Sequence, residues 1–260
     1  MPEGDTVHHA ALRVGAALAG HVPGELLTPH PRFARDGWPG RLAGREIEAV
    51  EARGKHLLLR FAGGLVVHSH LRMTGAWRVL ARGERWPRPA RTAWLVVRRG
   101  EHEVVQFNGP VLERLTAARV RSDPRLTRLG PDIVAAAPFD EARFRRRLRE
   151  ADPTRAIGDA LLDQHVLAGI GNAWKSEGCW LARLDPWRPA REVRDDEALA
   201  VVRAVRPLMQ QSAASGRHGR REVYERAAQP CRCCGPPHVI RGCGQGDDNR
   251  TTYWCPACQR

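Results

Sequence analysis

The sequence predicts an α+β chain of several domains: a β-rich N-terminal part entered through a helix, a helical part, and a small terminal metal finger. Three observations predict it. The 260 residues suffice for roughly two ordinary domains, each with its own core. Strand-like alternation is concentrated between residues 45 and 117, whereas helical spacing takes over from 139 onward. Six of the seven cysteines, including two CxxC pairs, fall within the last 30 residues.

The elements follow in order. Val7, Ala10, Ala11, Val14 and Leu18 recur at helical spacing over 6–19, with Asp5-Thr6 ahead of them and Gly20 placed to stop the helix. "KHLLLRF" and "LVVHSHL" flank the turn "AGG", and "AWLVVRR" and "EVVQF" flank "GEH". These read as hairpins of a β-sandwich or flattened barrel. "ARGERWPRPART" (81–92) is a Pro- and Arg-rich loop, and "SDPRLTRLGPDIVAAAP" a punctuated linker. Helices are expected over 139–151, 154–168, 173–183 and 195–213. The resulting division is 1–122, a linker over 123–138, a helical domain over 139–226 and a finger over 227–260.

In the finger, Cys231-x2-Cys234 and Cys255-x2-Cys258 can each pinch one side of a tetrahedral zinc ion. "HVIRG" and "TTYW" are the expected arms of the hairpin between them, and its tip aims Arg250 outward. Cys233 is an alternative to Cys234 but gives a poorer CxC bite; Cys243 and His238 read as spare residues. Such a site contributes ~10–16 kcal/mol, enough to fold so short a segment. Clustered, odd-numbered thiols suit a reducing cytoplasm better than a disulfide framework.

The formal charge of +13 and pI of about 10.7 predict a polyanionic partner, nucleic acid before any other. No apolar run approaches the ~18 residues needed to cross a bilayer, and no signal peptide is expected. Of the 42 basic residues, Lys55 and Lys175 alone are lysines. In a chain that writes Arg for charge, a lysine points to an amine able to lose its proton.

The first residues, "MPEG", carry chemistry. Trimming of the initiator methionine is expected when proline follows, which leaves Pro2 with a free secondary amine. An α-amino group of pKa ~7.7–8.0 is roughly a tenth unprotonated at neutral pH, against less than one part in a thousand for lysine. Such an amine attacks an aldehyde-like carbon. A helix beginning just behind it lowers its pKa further and favours an ionised Glu3.

"MPEG", "RGKHLLL" around Lys55, "LLDQHVLAGIGNAWKSE" at 161–177 and "RTTYWCPACQ" at 250–259 together resemble the formamidopyrimidine-DNA glycosylase/endonuclease VIII family. The likeness spans the chain, with the four motifs in the family's order, and is greatest to the endonuclease VIII branch, especially its actinobacterial members. It implies an N-terminal β-sandwich with a leading helix, a helical domain holding a helix–two-turns–helix motif, and a four-cysteine zinc finger. The implied activity is that of a bifunctional DNA glycosylase/AP lyase of base excision repair, acting as a monomer on damaged double-stranded DNA in the bacterial cytoplasm.

The resemblance also implies roles. Pro2 attacks C1′ of an extruded nucleotide and Glu3 serves as acid/base partner. Lys55 contacts phosphate and assists proton transfer. Asn172 in "GIGN" and Arg250 on the finger bind phosphates, Arg250 beside the lesion; Arg128 in "RLGPD" is a further DNA contact. Arg72 and Met73 in "HLRMTGAW" stand where the family places its wedge, and a core methionine is the alternative for Met73. Asp5-Thr6 replaces a Pro-Glu pair found in many members, and "QFNGP" (106–110) lacks the arginine of the purine-oriented branch. The expected substrate is therefore an oxidised pyrimidine such as thymine glycol. A purine-type glycosylase, a non-catalytic zinc-containing DNA-binding protein and a zinc-ribbon factor of transcription or RNA handling are the rival readings.

Overall fold

The structure is a computed structural model describing residues 2–33 and 36–260. The chain divides into two units, the first ending at Thr127 and the second beginning at Arg128.

The first unit opens with helix α1 (Gly4–Leu18), whose Val7, Val14 and Leu18 are buried. After the short strand β1 (Glu25–Leu27) and the single-turn helix α2 (Trp38–Leu42), seven strands follow. These are β2 (Ile47–Arg53), β3 (His56–Phe61), β4 (Leu65–His70), β5 (Ala76–Ala81), β6 (Ala93–Arg99), β7 (His102–Phe107) and β8 (Val111–Thr116). They form two antiparallel four-stranded sheets, β2-β3-β4-β8 and β1-β6-β7-β5. Leu57, Leu59, Phe61 and Val67 of one sheet meet Leu95, Val97 and Val104 of the other, joined by the apolar stripe of α1. This is a β-sandwich with one helix in its core.

The 81–92 loop is not idle. Trp86 packs edge-on to Phe107 at 5.6 Å and donates its indole N–H to Glu103. It thereby covers a second apolar cluster of Leu80, Val96, Val105 and Phe107 on the far face of the β1-β6-β7-β5 sheet. Helices α3 (Ala117–Ser122) and α4 (Pro124–Thr127) close the unit.

The second unit is built on α5 (Glu141–Glu150), α6 (Ile157–Leu162), α7 (Asn172–Leu181) and the long α8 (Asp195–Ser215). Phe144, Leu161, Ile170, Trp174, Val202 and Met209 lie in its core. The expected linker is divided: Leu126 is buried with the first unit, while Ile133 and Val134 sit in the core of the second.

Two expected elements differ. The helix over 154–168 is only α6, because the Gln164 amide takes over the backbone groups beyond it. Gln164 Nε2 donates to the Leu162 and Ile170 carbonyls, at 2.8 and 3.1 Å, and its Oε1 accepts from the Gly169 N–H. Two successive turns result, leading into α7. In the finger, the first hairpin arm is β9 (Arg241–Gln245), three residues later than expected, opposite β10 (Arg250–Trp254). His238 to Ile240 are used instead by the first cysteine knuckle, where Cys231 N–H donates to the His238 carbonyl at 2.8 Å.

Candidate active site and metal centre

In the first unit, Glu3 is the N-cap residue of α1 and only 4 % exposed; Pro2 just before it is half-buried. Asp5 is fully buried in the first turn of α1, where the helix dipole favours a carboxylate. Met1 lies outside the described residues.

Lys55 sits in the two-residue turn between β2 and β3, since Arg53 pairs with His56. Gly54 in that turn has φ +57°, the left-handed conformation that such tight hairpins demand. The sequence "RGK" thus places one lysine at the tip of a stiff β-ribbon.

Behind Lys55 lies a group of histidines that the motif reading missed. His68 is fully buried; its Nδ1 is 2.9 Å from Glu113 Oε1 and its Nε2 is 2.8 Å from His56 Nδ1. His56 is pushed down to about 2, by burial first and then by His70 and His68. His70 falls to about 4, by burial and then by the charges of Arg72 and Lys55, and His68 is lowered by burial. Burial alone would raise Glu113, but bonds from Arg125 and His68 outweigh it and keep it ionised. The hairpin register offered a signal, because pairing "KHLLLRF" with "LVVHSHL" across "AGG" sets His56 opposite His70.

Arg72 and Met73 lie on the turn between β4 and β5. Arg72 is exposed at φ +49°, with its N–H donated to His70 Nδ1 at 3.1 Å. Met73 is 66 % exposed, so the core alternative for it is overturned.

In the second unit, Asn172 is the first residue of α7 and 6 % exposed. It does not cap its own helix; Gly171 stands at the cap and Asn172 Nδ2 donates to the Thr251 carbonyl of β10 at 2.7 Å. Its Oδ1 is buried without a hydrogen-bond partner among the described residues. Lys175, one turn on, is fully buried and bonds Gln245 Oε1 at 3.1 Å and the Thr252 hydroxyl, clamping α7 to both finger strands. Glu177 accepts the N–H groups of Glu222, Val223 and Tyr224 at 2.9, 3.1 and 2.9 Å.

Arg250 begins β10, pairs with Asp248 at 2.8 Å, and lines a cavity of about 180 Å³ with Arg155, Asp159 and Gln245. Arg128 is exposed at the first position of this unit.

The sulfur atoms of Cys231, Cys234, Cys255 and Cys258 lie within 4.8 Å of one another. Cys231 to Cys258 is 3.7 Å and Cys234 to Cys255 is 3.6 Å. A tetrahedral ion with bonds of about 2.3 Å requires sulfurs about 3.8 Å apart, so the four residues fit a metal. Burial disfavours the Cys231 thiolate, but N–H groups of Cys234 and Cys233 outweigh it and hold the thiol below its ordinary range. Cys233, Cys243 and His238 are exposed and outside this group.

Among the described residues, no helix is long and apolar enough to cross a membrane.

Comparison with known proteins agrees with this arrangement. Residues 1–121 match the formamidopyrimidine-DNA glycosylase N-terminal domain and residues 129–223 its helix–two-turns–helix domain. The chain is 42 % identical to the probable endonuclease 8 2 of Streptomyces coelicolor, over 100 % of this chain and 94 % of that one. It is 36 % identical to the DNA-(apurinic or apyrimidinic site) lyase Nei2 of Mycolicibacterium smegmatis, over 100 % and 99 %. In fold it is similar to the Lactococcus lactis formamidopyrimidine-DNA glycosylase bound to abasic-site DNA, with a TM-score of 0.83, 22 % identity and full coverage of both chains. With a β-sandwich led by a Pro-Glu-capped helix, a two-turn helical motif, a four-cysteine centre and full-length relatives at this identity, the chain belongs to the formamidopyrimidine-DNA glycosylase/endonuclease VIII family.

Proposed function

We propose that the chain excises oxidised bases from double-stranded DNA and then cuts the strand at the same site. The observation that carries this is Pro2-Glu3 at the head of α1: a secondary amine followed by a carboxylate withdrawn from water. Once Met1 is removed, the Pro2 lone pair attacks C1′ of an extruded nucleotide. The C1′–N bond breaks, and the base leaves with its electron pair and a proton. The buried Glu3 holds or accepts a proton at the sugar. The C1′–O4′ bond then breaks as O4′ takes a proton from Glu3, and the iminium formed by this ring opening acidifies C2′. Loss of that proton expels the 3′ phosphate, and a second elimination expels the 5′ phosphate.

Lys55, displayed on its β-turn, contacts phosphate and moves protons at the sugar. Asn172 and Arg250 bind phosphates on the second unit, and Arg128 adds a contact. Arg72 and Met73 enter the duplex where the nucleotide has left it, as apolar wedges do elsewhere. The four cysteines hold one zinc ion, which supplies no chemistry but fixes the hairpin carrying Arg250. The enzyme acts as a monomer in the bacterial cytoplasm.

A pyrimidine lesion is favoured because residues 106–110 carry no cation and Gln106 and Phe107 are buried. The test pairs two substrates. Borohydride added during turnover of a thymine-glycol duplex should trap a covalent adduct, and this duplex should be cut faster than 8-oxoguanine opposite cytosine. Absence of an adduct would overturn the lyase reading; the reverse rate order would overturn the pyrimidine preference.

A further inference from the structure

We propose that Arg88, on the Pro-rich loop, positions the Met73 turn so that the wedge is already formed before DNA arrives. This rests on the reading of Met73 as the wedge.

The turn Leu71–Gly75 combines two opposed demands. Met73 has the largest exposure of any large apolar side chain among the described residues, at 66 %, whereas Leu71 is 2 % exposed in the sandwich core. An apolar side chain held out in water collapses onto the surface unless its backbone is restrained. Restraint is present at each end. Gly75 N–H donates to the Leu71 carbonyl at 2.9 Å, in a turn so tight that a Cβ on Gly75 would stand 2.7 Å from that oxygen. Arg72 holds φ +49° with its N–H on His70 Nδ1.

The middle of the turn is tied from outside. Arg88 Nη1 donates to the Thr74 carbonyl at 2.6 Å. Arg88 is well suited to act as a strut. Pro87 and Pro89 flank it, and a following proline keeps a residue extended. Its loop is anchored on one side by Trp86 against Phe107 and Glu103. On the other, Thr92 donates both its N–H and its hydroxyl to the Pro89 carbonyl. The strut therefore joins Met73 to the packed outer face of the β1-β6-β7-β5 sheet. Insertion then requires no ordering of the turn, so more of the wedge's contact with the flanking bases goes into holding the nucleotide out.

The test is a double-mutant cycle on Met73→Ala and Arg88→Ala, read by single-turnover base release. Fluorescence of 2-aminopurine beside the lesion supplies a second readout, since it brightens on unstacking. Arg88→Ala should slow release about tenfold, diminish the fluorescence rise, and add nothing once Met73 is alanine. Arg88→Lys should restore part of both signals. An abasic duplex, which has no base to unstack, should show a smaller loss. Additive effects, or an Arg88→Ala variant as fast as the parent while Met73→Ala is slow, would overturn the strut. A silent Met73→Ala would instead remove the wedge reading. If Arg88→Ala fails to fold, Arg88→Met, which keeps the length but not the donor, takes its place: unchanged release and unstacking would overturn the inference.

Discussion

His56 Nδ1 lies 2.8 Å from His68 Nε2, and the direction of that hydrogen bond is fixed by Glu113. Because Glu113 is ionised, His68 Nδ1 must carry the proton it donates, which leaves His68 Nε2 to accept from His56. The folded domain thus requires neutral histidines, and His56 and His70 have pKa values of about 2 and about 4. An unfolded chain protonates them near 6.5. Between about pH 6.5 and 4 the unfolded state therefore binds more protons, so stability rises with pH and is lost on acidification. The charged groups facing the trio are Lys55, Arg72, Glu113, Asp123 and Arg125. Unfolding free energy should fall from pH 7 to pH 5 by about 2 kcal/mol per histidine, with the melting temperature falling alongside it. His56→Phe should flatten that slope, and an unchanged slope would contradict this account.

The amine of Pro2 acts only if it is an amine. One added residue before Pro2 turns its nitrogen into a tertiary amide with no basic lone pair. Borohydride trapping should vanish and strand cleavage should fall at least a thousandfold, with the fold and DNA affinity kept. Gel shifts and intact mass on the same sample check this.

Lys55 separates charge from proton transfer. Lys55→Arg keeps a cation on the Gly54-Lys55 turn but cannot give up its proton near neutral pH. Duplex affinity should stay within a few-fold, while base release falls about a hundredfold or more. Lys55→Ala should lose both. Base release by Lys55→Arg at the parental rate would reduce Lys55 to a phosphate contact.

What was legible in the sequence was local. The α1 stripe, the "AGG" and "GEH" hairpins and the two CxxC knuckles depend on neighbours in the chain, and each is formed by the residues that announce it. The failures share one cause, side chains that reach across the fold. Gln164 ends α6 early by competing for backbone groups, and the Cys231 knuckle draws His238 and Ile240 out of the hairpin. Asn172 is expected to meet a phosphate, and nothing local foretold that its amide bonds a carbonyl 79 residues away. Lys175 was marked by its rarity, but nothing local foretold its burial between Gln245 and Thr252.

Glu177 predicts a structural penalty with a local readout. Its buried carboxylate accepts three consecutive backbone N–H groups from residues 222–224. Glutamine offers one acceptor oxygen and turns an NH2 toward the remaining donors. Glu177→Gln should cost about 1.5–3 kcal/mol, since hydrogen bonds to charged groups lie in that range. Faster amide exchange confined to residues 222–224 would be the local signature; exchange unchanged there would refute it.

Metal removal should act through position rather than through chemistry. The four cysteines fix the ends of the finger, and β9 and β10 between them carry Gln245, Thr251 and Thr252, the residues that hold Asn172 and Lys175. With the ion gone, the sulfurs repel or bond one another and the hairpin loses its ends. Cys234→Ser or chelation should therefore lower duplex affinity and flatten its salt dependence, since Arg250 and Asn172 no longer meet phosphates together. Borohydride trapping at saturating abasic DNA should decline less than affinity, because Pro2 and Lys55 belong to the first unit. Elemental analysis of the parent protein should give one zinc per chain. Affinity and salt slope unchanged after complete loss of metal would separate the finger from DNA binding altogether.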